Sequence, residues 1–102
     1  MKGTSLRIYL TEREKHDGEL LYDWILEQAR GLGIRGGSVF RAIAGYGRHG
    51  VKEQTFFELA GDVPVVVEFI ASEVQAERLL ALLKAEKISL FHVKTSATLG
   101  TT

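Results

Sequence analysis

The sequence predicts an α+β fold, a four-stranded antiparallel sheet with two helices on one face, and three observations lead to it. Four stretches read as strands, near 5–11, 38–46, 65–70 and 88–95, through alternating or continuous β-branched and aromatic residues. Two stretches, near 20–32 and 72–85, carry apolar residues at helical spacing. Their order is β-α-β-β-α-β within 102 residues, enough for one domain. The simplest arrangement of that order is a split βαβ, ferredoxin-like sandwich.

Each element follows from its own residues. Leu6, Ile8 and Leu10 alternate with Arg7, Tyr9 and Thr11, so the first strand is half buried. Glu12 to His16 forms a charged loop, and Asp17 is the expected N-cap of the first helix. Leu20, Leu21, Trp24, Ile25, Ala29 and Leu32 make that helix's apolar stripe, with Trp24 in the core, and Gly31 to Gly33 end it. The second strand, Ser38 to Tyr46, is framed by glycines. Val51 to Leu59, with Phe56, Phe57 and Leu59, reads either as a hairpin extension with a flexible tip, the favoured form, or as a mobile loop.

Pro64 marks the entry to Val65-Val66-Val67-Glu68-Phe69-Ile70, apolar on both faces and so an interior strand. Ser72 and Gln75 have capping-box spacing, and Val74, Leu79, Leu80, Leu82 and Leu83 carry the second helix to about Ala85. Ile88 to Thr95 is the last strand, and 96–102 is expected to be a loose tail of the single domain, 1–102. Helices on one face leave Arg7, Tyr9, either Phe40 or Arg41, and part of the valine strand on the other. An uncovered sheet of that kind signals association.

Composition narrows the chemistry. Without cysteine the chain has no disulfides, thiolate metal sites or cysteine nucleophiles. No apolar run reaches membrane-spanning length, and the expected location is the cytoplasm. Thirteen basic and thirteen acidic residues give zero formal net charge, which does not favour nucleic-acid binding. The charges are nevertheless segregated. From Gln28 to Lys52 there is no Asp or Glu, and from Glu53 to Glu77 no Lys or Arg. A basic block of this kind is suited to attracting a small anion.

Seven of the eleven glycines lie between Gly31 and Gly50, where the main chain turns sharply or approaches a ligand. Gly45-Tyr46-Gly47-Arg48-His49-Gly50 matches G-x-G-x-x-G, but no crossover helix follows it, so a dinucleotide-binding fold is not expected. What remains is a possible nest of backbone amides beside the Arg48 guanidinium, or a tight hairpin exit with no ligand. His16, His49 and His92 have no partners at metal-site spacing, and the carboxylates Glu12, Glu14 and Asp17 read as a solvated loop. No serine has a nucleophile-elbow context, so no catalytic residue is assigned.

Gly36-Gly37-Ser38-Val39 leading to Gly45-Tyr46-Gly47-Arg48-His49 resembles the second strand and following loop of PII signalling proteins. With Leu6-Arg7-Ile8-Tyr9-Leu10-x-Glu12, Leu20-Leu21-Tyr22, Arg41-x-x-x-Gly45-Tyr46-Gly47 and Leu59 to Val67, the chain is more specifically similar to an uncharacterised PII-like family, from about Leu6 to Val93. The resemblance implies a ferredoxin-like homotrimer with effector sites in the clefts between subunits. It implies anion contacts at Gly45, Gly47 and Arg48, with His49 standing where the family has glutamine. Ser38, Arg41 and Lys87 complete the expected ligand-binding set.

The sequence departs from PII in two places. The loop between Gly50 and Phe56 is much shorter and lacks the modifiable tyrosine, so uridylylation is not expected. Ala85-Glu86-Lys87-Ile88 replaces the glycine-rich segment that supplies a lysine to the phosphates, leaving Lys87 as its substitute. The leading expectation is a non-enzymatic sensor. It binds a small anionic effector of the ATP, ADP or AMP type and reports through the 47–57 loop to a transporter or enzyme. Two alternatives stand beside it: a metal-binding trimer similar to divalent-cation tolerance proteins, using His49 or His92, and a small dimeric ferredoxin-like enzyme.

Overall fold

The alternation of the first strand becomes a two-sided ribbon in the computed structural model, which describes residues 1–47, 50–53 and 62–102. This strand, β1 (Lys2–Thr11), buries Thr4, Leu6, Ile8 and Leu10 on one side. A two-residue-per-strand hairpin follows, β2 (Lys15–His16) and β3 (Glu19–Leu20), and leads into α1 (Leu21–Gly31). Next come β4 (Gly36–Arg41), the separate ribbon β5 (Ala44–Gly47) and β6 (Gly50–Glu53), then β7 (Pro64–Ala71), α2 (Glu73–Ala85) and β8 (His92–Thr98). The main sheet has the order β4-β7-β1-β8, antiparallel throughout. The fold is therefore the predicted ferredoxin-like sandwich, with the valine strand β7 in its interior.

The register decides what faces the helices. Val65, Val67 and Phe69 of β7 lie beside Leu10, Ile8 and Leu6 of β1. Ile25 and Ala29 of α1 and Ala76, Leu79 and Leu83 of α2 join them in one core. Gly37 is opposite Phe69, where an added Cβ would lie 2.4 Å from the ring, so this glycine serves core packing. The two helices are also tied directly. Gln75 completes the predicted capping box with Ser72, and its side-chain amide donates to the Gly33 carbonyl beyond α1.

Several sequence expectations change. Asp17 does not cap α1: it and Gly18, with φ of 52° and 83°, form the tip of the β2–β3 hairpin. An Asp-Gly pair suits a two-residue turn with both φ positive, and that demand outweighed the capping preference. Helix α1 instead starts after Leu20 with no side-chain cap, the Leu21 amide donating to the Glu14 carbonyl. Val74 is 58% exposed, and Ala76 takes its place in the buried stripe of α2. Trp24 is only partly buried: it packs on the core and presents an edge to the His16 ring at 4.6 Å.

The chain ends also differ. Strand β1 begins at Lys2 and β8 continues to Thr98, because these polar segments pair with each other from Lys2–Thr98 to Thr4–Ser96. The loose tail is thus shortened to 99–102, and even Leu99 exchanges backbone hydrogen bonds with Met1. Strand β8 starts late because Ile88 is used by the end of α2, its amide donating to the Leu83 carbonyl. The expected second strand breaks after Arg41, and the hairpin resumes as β5–β6 with Gly47 opposite Gly50. The expected Phe56, Phe57 and Leu59 contribution lies outside the described residues.

Candidate functional site

Of the expected ligand set, Ser38, Arg41, Gly45, Gly47 and Lys87 are placed, while Arg48 and His49 lie outside the described residues. Ser38 is exposed on the helix-free face of β4, opposite Glu68. Phe40 shares that face, paired with Val66 and 51% exposed. This settles the choice between Phe40 and Arg41, because Arg41 pairs with Val65, whose side chain is on the helix side. Arg41 Nε and Nη2 donate to the two Glu12 carboxylate oxygens at 2.7 and 2.6 Å. The guanidinium hydrogen bond holds the Glu12 carboxyl below its ordinary range.

Gly45 pairs with Lys52 in the β5–β6 ladder. Its φ is outside the left-handed region and an added Cβ would meet nothing within 4 Å, so neither strain nor crowding demands glycine there. The segregated charges likewise change meaning on folding. Glu68 meets Arg7 at 3.4 Å, and Lys94 bonds both Glu73 and Glu77. Those bonds raise the pKa of Lys94 and, with the Thr4 hydroxyl, lower that of Glu73. The acidic block thus finds its cations in Arg7 and Lys94, and Arg41 of the basic block finds Glu12, so these partners come from outside the two blocks.

Lys87 occupies a distinct setting. Two hydrogen bonds, Lys87 amide to Lys84 carbonyl and Ile88 amide to Leu83 carbonyl, close α2 in a Schellman motif. The same pattern closes α1, with Gly33 at φ 83°. In α2 the left-handed position, φ 60°, is filled by Lys87. Beside it a cleft of about 410 Å³ is lined by Leu83, Ile88, Leu90, Lys84, Lys87 and His92 among others. Sequence reading missed Lys84 as a second cation here; its spacing of three from Lys87 was the available signal.

The placed residues fall into two groups at one end of the sheet. Strand β4 ends at Arg41 opposite Val65, and β8 begins at His92 opposite Ile8, two residues from the Leu10 that pairs with Val65. Arg41 and the following ribbon with Gly45 and Gly47 thus extend from one edge. Lys87 and its cleft accompany the opposite edge. Three inter-strand spacings, roughly 14 Å, separate β4 from β8.

This sheet order with two helices on one face is the architecture of PII-like proteins. The structure of CPII, a nitrogen regulatory PII-like protein from Thiomonas intermedia K12 bound to ADP, AMP and bicarbonate, superposes with a TM-score of 0.72. The match covers 99% of this chain and 91% of that one at 17% identity. The chain belongs to the DUF190 family, described as "Uncharacterized ACR, COG1993", whose model matches residues 3–90. UPF0166 proteins are its relatives in sequence. The one from Aquifex aeolicus is 39% identical over 87 residues, 84% of this chain and 83% of that protein. The one from Methanocaldococcus jannaschii is 39% identical over 80 residues, 78% and 74% of the two chains. No helix among the described residues is long and apolar enough to cross a membrane.

Proposed function

We propose that this chain is a non-enzymatic PII-like regulatory protein: a homotrimer that binds an adenine nucleotide in the clefts between subunits and signals to a partner protein through the 47–57 loop. The observation that carries this reading is the division of the expected ligand set between opposite edges of one sheet. Gly45, Gly47 and Arg41 accompany β4, while Lys87 and Lys84 line the cleft near β8. A head-to-tail ring places the β4 edge of one subunit beside the β8 edge of the next, uniting the two halves, and such contacts close only in cyclic assemblies. The helix-free face offers further surface for assembly, with Phe40 and Phe91 51% and 70% exposed. CPII, which shares the fold, is bound to ADP and AMP, and this supports a nucleotide as the effector.

In this reading Arg48 contacts the phosphates, Ser38 and His49 border the same half-site, and the nucleotide orders the loop that the partner recognises. Light scattering should give three times the 11.3 kDa chain mass. Calorimetry should detect ADP, AMP or ATP, and Arg48→Ala should weaken it by about 1.5–3 kcal/mol, the scale of a charge-assisted hydrogen bond. A monomer, or unchanged affinity in the variant, would refute the shared site.

A further inference from the structure

A second group of donors meets beside the C-terminal end of α2, where Glu86 immediately precedes Lys87. His16 Nε2 is 3.0 Å from Glu86 Oε1 and 3.5 Å from Asp17 Oδ2, and the three donor atoms lie within 4.8 Å of one another. Residues 16 and 86 are 70 positions apart, so sequence spacing did not reveal the group. We propose that His16, Asp17 and Glu86 bind one first-row divalent transition ion per chain, with water completing its coordination.

The two carboxylate distances to the imidazole, 3.0 and 3.5 Å, suit such an ion. Bonds of roughly 2.0–2.2 Å from a metal to nitrogen and oxygen donors place neighbouring donors roughly 3.0–3.5 Å apart, in octahedral or tetrahedral arrangement. One imidazole with two carboxylates selects zinc- or copper-type ions over magnesium and calcium, which prefer oxygen alone. The imidazole is also held in place. Its side chain is only 16% exposed and packs against Trp24 with the ring centroids 4.6 Å apart, while the Asp17–Gly18 turn places the exposed Asp17 side chain next to it in the chain. Bound metal links the β2–β3 hairpin to Glu86, the C-cap of α2.

Trp24 is the chain's only tryptophan, which makes the wild-type protein its own probe. Titration with Cu²⁺ should quench its fluorescence to saturation at one ion per chain. Zn²⁺ in large excess should compete with the copper for the site, and Zn²⁺ alone should raise the melting temperature by several degrees, with Mg²⁺ at the same concentration doing neither. Competition against a chromophoric chelator should show Zn²⁺ binding at least tenfold weaker in His16→Gln and Glu86→Gln, and unchanged in His49→Gln and His92→Gln. No saturable quenching in the wild type, an equal response to Mg²⁺, or loss of binding in His92→Gln with retention in His16→Gln would each overturn the proposal. The copper titration needs no variant to fold, and it is run without nucleotide because Glu86 adjoins Lys87 of the proposed nucleotide site.

Discussion

Replacing Lys87 by glycine should make the protein more stable and a worse nucleotide binder at once. Lys87 holds φ 60° at the position that ends α2, where Gly33 serves the equivalent end of α1 at φ 83°. A side chain in that conformation costs roughly 1–2 kcal/mol, which glycine avoids. Glycine returns roughly 0.4–1 kcal/mol of this through the greater freedom of the unfolded chain. The net gain is about 0–1.6 kcal/mol, centred at about 0.8 kcal/mol, and that centre corresponds to roughly 3–6 °C for a domain of this size. Thermal unfolding of both proteins at equal chain concentration measures it, since assembly makes the midpoint concentration-dependent. Lys87→Ala separates backbone from charge: it keeps the strained conformation, gains no stability and loses the same nucleotide contact. A lower midpoint for Lys87→Gly than for the wild type would refute the strain argument. Wild-type nucleotide affinity in both variants would remove Lys87 from the site.

Two further outcomes follow from packing and charge. Gly37→Ala should destabilise the fold by about 1–3 kcal/mol in denaturant titration, because its Cβ would lie 2.4 Å from the buried Phe69 ring and the core must shift; a loss below about 0.5 kcal/mol would mean that Phe69 moves freely. Glu12 and Glu73 have folded pKa values below 4.5, so their ion pairs contribute stability above that pH and lose it as pH falls through the lowered values. Lys94, raised above 10.5, contributes below that pH and loses its contribution as pH rises through the raised value. Lys94→Met should therefore flatten both the acid and the alkaline limbs of a midpoint-against-pH curve, and unchanged limbs would show that its bonds to Glu73 and Glu77 do not persist in solution.

The order of elements was legible because burial is periodic: one side of β1, one stripe of each helix and both faces of β7 are written in the spacing of apolar residues. The Ser72–Gln75 cap was legible because a cap is a local hydrogen-bond pattern. So was the PII-like resemblance, carried by short runs whose residue types recur together. Local reading failed where two local preferences competed, as at Asp17, which could cap a helix or form a turn tip. It also failed where polar strands are stabilised only by each other, as Lys2–Thr4 are by Ser96–Thr98.

What the linear chain determined, then, is which residues must leave water and which stretches can form regular backbone hydrogen bonds. Tertiary structure alone decided which charges meet. Arg41 finds Glu12 across 29 positions, Lys94 finds Glu73 and Glu77, and His16 finds Glu86. It also decided that the glycine and lysine halves of the candidate anion site stand at opposite edges of the sheet. Burial depends on each residue's own hydration and so repeats with local geometry, whereas pairing depends on strand order and register, which no single segment contains.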